Sequence, residues 1–367
     1  MSGFFVVFLF KGDDFMHMAD FLISPEVGGT MWAATLAVSC YSVKKVQSNF
    51  DENEELNEKK IPLMGVMGAF VFASQMINFT IPGTGSSGHL SGGMILAALL
   101  GPYAGFITLS CILAIQALFF ADGGLLSLGS NIFNMGFYTC FIAYPFIYKK
   151  IIKNKITKKK ILIASILSVV IGLQLGSFSV VIQTFISGKT ELPFQTFVLF
   201  MQPIHLAIGI IEGLITSAAI SFIWSARPEI LQPIKENTFK EKISYKKLIT
   251  VLLSLSIVTG GFISYFASSN PDGLEWSIEK TEKTDVSNSN DENGKSVIHN
   301  FLANMQEKIA FLPDYGFENN SEETNLSKVN VGTSVSGIVG SLLTLSLVVL
   351  IGKAAKFYKN KYNIKEN

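Results

Sequence analysis

Four histidines occur in this chain: His17, His89, His205 and His299. His17 follows Met16 directly in MHMADFLISPE, and His89 lies in IPGTGSSGHLSGGMILAALLGP. Two imidazoles converging on one face of a protein suit a first-row transition metal, because neutral imidazole is a good ligand for such ions. The competing reading is a packing hydrogen bond between helices. Gly83, Gly85, Gly88, Gly92 and Gly93 permit backbone conformations and close approaches around His89 that bulkier residues forbid. A phosphate loop is a poor alternative, since no Gly-Lys-Ser/Thr follows. His205 and Glu212 stand seven apart and share a helical face, where a structural pair or helix contact is favoured over a ligand. The segment PDGLEWSIEK gathers Asp272, Glu275 and Glu279, hard ligands better suited to magnesium or calcium, so a docking loop is the preferred reading. Asp122 and His299 read as solvated.

These residues sit in a chain that must be embedded in a membrane. Of its 367 residues 49% are apolar and only 16% charged, against about 25% charged for a soluble domain. That excludes a soluble enzyme and a disordered chain. A net charge of +1 leaves no basic surface for nucleic acid. Cys40, Cys111 and Cys140 have no CxxC spacing and read as small buried hydrophobes.

A spanning helix needs about 20 apolar residues, and fewer when it is buried among neighbours. Nine candidates follow, at 29–41, 63–79, 90–100, 103–121, 131–148, 161–185, 204–224, 248–266 and 331–352. The expected fold is therefore an all-α integral membrane protein. Charge orients it. Residues 149–160 hold seven lysines and no acid, 227–247 hold six basic residues against three acidic, and 353–367 hold five against one. By the positive-inside rule these are cytoplasmic. Residues 267–330 carry twelve acids against five lysines and read as a flexible external loop. Counting spans between these points closes on an external amino end, an internal 44–60 loop and a cytoplasmic tail.

Residues 1–15, MSGFFVVFLFKGDDF, lack the basic region and cleavage site of a signal peptide. Lys-Gly-Asp-Asp can be encoded AAA-GGA-GAT-GAT, a purine-rich ribosome-binding sequence ahead of the Met16 codon. The expected first residue is Met16, with 1–15 an over-extended start outside the fold.

MHMADFLISP, PGTGSSGHLSGG, QALFFADGGLLSLGSNIFNMG and HLAIGIIEGLIT together closely resemble the CbiM/NikM family, the substrate-capture membrane proteins of energy-coupling factor transporters for cobalt and nickel. PDGLEWSIEK resembles the CbiN/NikN accessory component. The resemblance implies a fused protein: a seven-helix capture domain at 16–226, a cytoplasmic linker at 227–247 and a two-helix hairpin at 248–367 with an external PDGLE loop. It implies capture of Ni(II) or Co(II) outside the cell membrane, as cargo and without a cofactor. It also implies a transmembrane coupling protein and two ATPase subunits as partners, and no nucleotide motif occurs here.

In the resembling family the ion is held by the terminal amine, the backbone nitrogen and imidazole of the following histidine, and the histidine of the Gly-rich loop. Carried over, those groups belong to Met16, His17 and His89. Amine, deprotonated amide and imidazole form fused chelate rings near one plane, and a second imidazole completes a square-planar field suited to nickel or copper. Ser127, Ser130, Asn131 and Asn134 are implied around the ion, with ordinary interhelical bonding as the alternative. Two other functions compete. A vitamin-capture component would need an aromatic-lined organic pocket. An intramembrane metalloenzyme is disfavoured because no HExxH occurs.

Overall fold

The computed structural model describes residues 17–49, 54–190, 192–231, 244–285, 297–317 and 326–366. Met16 and positions 1–15 lie outside them. Among the described residues the chain is all-α apart from one short hairpin. Its apolar helices are α1 (Pro25–Asn49), α2 (Glu54–Gln75), α3 (Gly93–Leu100), α4 (Pro102–Phe119), α5 (128–152), α6 (Lys158–Ser187), α7 (Phe194–Ala226), α8 (Tyr245–Gly261) and α11 (Leu326–Glu366). Between the last two lie shorter helices, α9 (Gly273–Asp285) and α10 (Val297–Ile309). The strands β1 (Phe79–Ile81) and β2 (Ser86–Gly88) pair antiparallel, Thr80 opposite Ser87.

The apolar helices fall on the nine predicted segments. Five stretches are long and apolar enough to cross a membrane by themselves: Pro102–Phe119, Lys158–Ser187, Phe194–Ala226, Tyr245–Phe266 and Val331–Phe357. At eight residues α3 rises only about 12 Å. It is buried along its whole length, and Gly101-Pro102 turns it directly into α4, whose Tyr103 packs on Tyr41 of α1 at 5.7 Å. A short helix survives here because protein surrounds it on every side.

Some expectations change. Residues 267–330 are not simply a flexible loop, for α9 and α10 fold there and pack on α7 and α4 respectively. Cys111 and Cys140 are buried as expected, but Cys40 lies exposed on α1.

The hairpin formed by α8 and α11 packs against α2. Gly260 and Gly337 let α8 and α11 touch backbone to backbone. The first seven helices share the larger apolar core with α8 and α11, which add Leu248, Leu252 and Val348; Phe72, Phe106 and Phe120 are fully buried in it.

The loop from β2 into α3 dips into the bundle and must be held there. Glu212 of α7, fully buried, does this: one carboxylate oxygen accepts from the Ser91 N–H at 3.0 Å, and the other from the Ser91 hydroxyl at 2.6 Å and the Gly92 N–H at 3.1 Å. Gly92 itself has φ +73° and lies against Val71, so no other residue fits. The expected pairing of Glu212 with His205 is absent; the partners of Glu212 are the loop that carries His89. Glu212→Ala orphans three buried donors, each costing about 1–3 kcal/mol. Thermal unfolding in detergent is expected to show a loss of about 3 kcal/mol or more, with Glu212→Gln milder. An unchanged midpoint for the alanine variant would contradict this role.

Candidate metal centre

The amino end enters the bundle as extended chain with a single helical turn at Asp20–Leu22. Extended chain inside a membrane protein must find partners for every peptide group. Ser127 and Asn131, at the start of α5, supply them. Asn131 accepts from the Met18 N–H and donates to the Met18 carbonyl, both at 3.0 Å. The Ser127 hydroxyl donates to the same carbonyl at 2.5 Å, and its N–H donates to Asp20 at 2.9 Å. Met18, Leu22 and Ile23 then pack on Leu126, Val181, Phe197 and Met201.

This clamp delivers His17 into the bundle, 4% exposed. Its Nδ1–H donates to Asp122 Oδ2 at 2.8 Å. Asp122 is 2% exposed rather than solvated, and follows Ala121, which adopts φ +55°. The hydroxyl of Tyr315 donates to the same oxygen at 2.5 Å. Burial by itself would lower the pKa of His17, but the Asp122 carboxylate outweighs it and raises the imidazole above its usual value. Burial likewise opposes the charge on Asp122, and the His17 ring overcomes it, so Asp122 is held below the ordinary carboxylate range. His17 Nε2 is buried with no hydrogen-bond partner among the described residues.

His17 and His89 come together, their ring centroids 5.5 Å apart. The His89 Nδ1–H donates to the Leu90 carbonyl at 3.2 Å. Both rings line a cavity of about 90 Å³ that Asn131, Asn134, His205 and Asp272 also line. A water molecule occupies about 30 Å³ of liquid, so the space suits an ion with a few waters. Pockets for organic ligands run to about 300–1,000 Å³.

The other predicted polar residues divide. Asn134 bonds Gln183 of α6 reciprocally, at 3.1 and 2.9 Å, as an interhelical pair on the cavity wall. The Ser130 hydroxyl is buried without a partner among the described residues. His205, expected to be structural, lines the cavity and donates from Nδ1 to the Met201 carbonyl at 2.8 Å. His299 is buried rather than solvated, its Nε2 against the Ile23 and Asp20 carbonyls at 3.0 and 3.1 Å. Among the described residues no three His, Cys, Asp or Glu side chains are gathered at metal-ligand distances.

The PDGLE turn is seated on the rim. Ser87 donates from its N–H to the Pro271 carbonyl at 2.7 Å and from its hydroxyl to the Asn270 carbonyl at 2.8 Å. Trp276 donates to the Thr84 carbonyl at 3.0 Å. Asp272 caps α9 by accepting from the Glu275 N–H at 2.8 Å, and its Oδ2 lies 3.9 Å from His89 Nε2. Burial pushes its carboxyl up to about 7.

Residues 17–230 match the family described as "Cobalt uptake substrate-specific transmembrane region", and residues 246–357 match the PDGLE domain. A putative fused nickel transport protein, NikMN, of Archaeoglobus fulgidus is 30% identical over 252 residues, covering 69% of this chain and 77% of its own length. A probable fused nickel transport protein, LarMN, of Lactiplantibacillus plantarum is 28% identical over 278 residues, covering 73% and 80%. The crystal structure of a truncated transition metal transporter is 31% identical, with a TM-score of 0.49 over 57% of this chain and 98% of that one. This chain belongs to the cobalt-uptake transmembrane family, with a PDGLE domain fused behind it, and is a membrane metal-transport component rather than an enzyme.

Proposed function

We propose that this protein captures Ni(II) or Co(II) on the outer side of the cell membrane and passes it inward as the substrate-binding component of an energy-coupling factor transporter. The observation that carries this reading is the meeting of the buried His17 and His89 rings, 5.5 Å apart, on a cavity of about 90 Å³. The volume also speaks against an organic micronutrient as cargo. Energy would come from separate ATPase subunits through a transmembrane coupling protein.

In this reading residues 16–226 form the capture domain, 227–247 a cytoplasmic linker and 248–367 the accessory hairpin, a division that the two family matches support. The ligands are the amine of Met16, the amide nitrogen and imidazole of His17, and the imidazole of His89. Only Nδ1 of His17 can reach a metal that its own amide nitrogen holds, and here Nδ1 is committed to Asp122. Forming the chelate therefore requires the ring to release Asp122 and turn. Ser127 and Asn131 act behind it by fixing the Met18 peptide. The external face carries the amino end and residues 267–330, and the carboxyl tail is cytoplasmic.

Removing one imidazole from a four-nitrogen site should cost on the order of 100-fold in affinity or more. In protein starting at Met16, His17→Ala and His89→Ala are expected to lose nickel and cobalt binding by equilibrium dialysis, whereas exposed Lys189→Ala keeps it. Equal binding by all three would rule out the ligand set.

An internal Met16 has no amine, because its nitrogen is bonded to Phe15. Protein beginning at Met16 should bind nickel orders of magnitude more tightly than protein retaining 1–15. Mass spectrometry of the native protein should find Met16 first; tight nickel binding by protein with residues 1–15 intact would overturn the chelate.

Orientation is open to labelling in a Cys40→Ser background, where the remaining cysteines are buried. Asn304→Cys should react with an impermeant maleimide on intact cells, and Lys153→Cys only after lysis. The reverse pattern would invert the map.

A further inference from the structure

Three histidines on the cavity share one feature. His17 donates its Nδ1–H to Asp122, His89 to the Leu90 carbonyl and His205 to the Met201 carbonyl. In its neutral form, the one a metal binds, an imidazole committed in this way carries its lone pair on Nε2, and an oxygen acceptor behind the opposite nitrogen is the usual support of a metal-bound histidine. The chelate proposed above uses the other nitrogen of His17 and makes no use of His205. The arrangement seen here is thus built for a different coordination.

A fourth donor comes from the appended domain. Asp272 is buried on the same cavity, with Oδ2 3.9 Å from His89 Nε2. The turn carrying it fits closely. A Cβ added at Gly273 would lie 2.7 Å from Ile208 Cδ1, 3.2 Å from His205 Cε1 and 3.5 Å from His205 Nε2. Only glycine lets the PDGLE turn approach His205 so nearly.

Resting on the capture reading, we propose that the ion has a second, earlier seat formed by the Nε2 atoms of His17, His89 and His205 with the carboxylate of Asp272. Three imidazoles and a carboxylate suit the tetrahedral to octahedral fields of Co(II), Zn(II) or hydrated Ni(II), not the square plane of the chelate. The four groups stand around the cavity rather than at bonding distance, so an ion draws them inward. Turning of the His17 ring then transfers the ion to the amino-end chelate. The PDGLE domain in this scheme contributes a ligand, beyond docking.

The test uses the full 367-residue chain, in which Met16 has no free amine and only the earlier seat is available. Titration with Co(II), read by its visible d–d absorption and by equilibrium dialysis, is expected to show binding. Asp272→Asn keeps the cap of α9, since asparagine also accepts the Glu275 N–H, yet it should weaken that binding on the order of tenfold or more, as should His205→Gln. Glu275→Gln, which removes a neighbouring charge, should not. In protein starting at Met16 the first two variants should slow cobalt association while leaving equilibrium affinity nearly unchanged. No cobalt binding by the full chain, or full-strength binding by both variants, overturns the seat while leaving the chelate standing. Absence of binding in protein starting at Met16 overturns the capture reading itself.

Discussion

A segment of extended chain lies inside a helical membrane protein, and its unpaired peptide groups would each be costly there. Much of this end of the molecule answers that constraint. Ser127 and Asn131 close on both polar atoms of the Met18 peptide, and Asp122 closes on the His17 ring. α5 begins at Leu128, just beyond Ser127, so its first turn presents these two side chains inward. Were the segment helical, its peptides would pair among themselves and none of these residues would be required. His17 would then project from a helix surface rather than from the end of a buried strap.

The appended domain takes part in the same accounting. His299 faces the Ile23 and Asp20 carbonyls, Gln306 donates to the Ala117 and Gly123 carbonyls at 2.9 and 2.7 Å, and Tyr315 donates to Asp122. Asp314 and Tyr315 both adopt positive φ, 49° and 56°. Strain of that kind persists only where surroundings impose it. Here they do: the Asp314 N–H donates to the Phe120 carbonyl at 2.8 Å, the Tyr315 ring stacks on Phe120 at 5.0 Å, and its carbonyl accepts from Ser336 at 3.1 Å. The oxygen that orients His17 therefore depends on a residue nearly two hundred positions away in sequence.

The membrane helices are legible in the sequence because an apolar run of about twenty residues between charged loops matches the thickness of a bilayer and little else. The meeting of His17 and His89 is legible from their motifs. What escapes a reading of the sequence is any residue whose role depends on a distant partner. Nothing local marks Tyr315 as a donor to Asp122, or separates His299 from any histidine in a polar stretch. His205 and Glu212 do share one helical face, yet His205 bonds back to the Met201 carbonyl of its own helix while Glu212 holds the loop at Ser91 and Gly92, so the expected pair does not form. The 267–330 segment reads as flexible because its Ser, Asn and acids resemble disordered composition. Its order comes from docking on the bundle, which composition does not encode. Asp272 sits within a conspicuous motif, but carboxylates alone give no reason to bring it to the imidazoles.

Fusion changes what the rim contacts have to do. The PDGLE turn and the residues before it meet the β1–β2 hairpin through hydrogen bonds such as Ser268 to Asn78 at 2.8 Å, Ser87 to Pro271 and Trp276 to Thr84. Each contributes about 0.5–1.5 kcal/mol. A handful of them reaches only the low end of the roughly 4–15 kcal/mol that association of separate chains costs. Packing of α8 and α11 against α2 anchors both ends of the segment in the bundle, so docking becomes an intramolecular event at high effective concentration. The rim hydrogen bonds then need only seat a segment that the hairpin already holds in place.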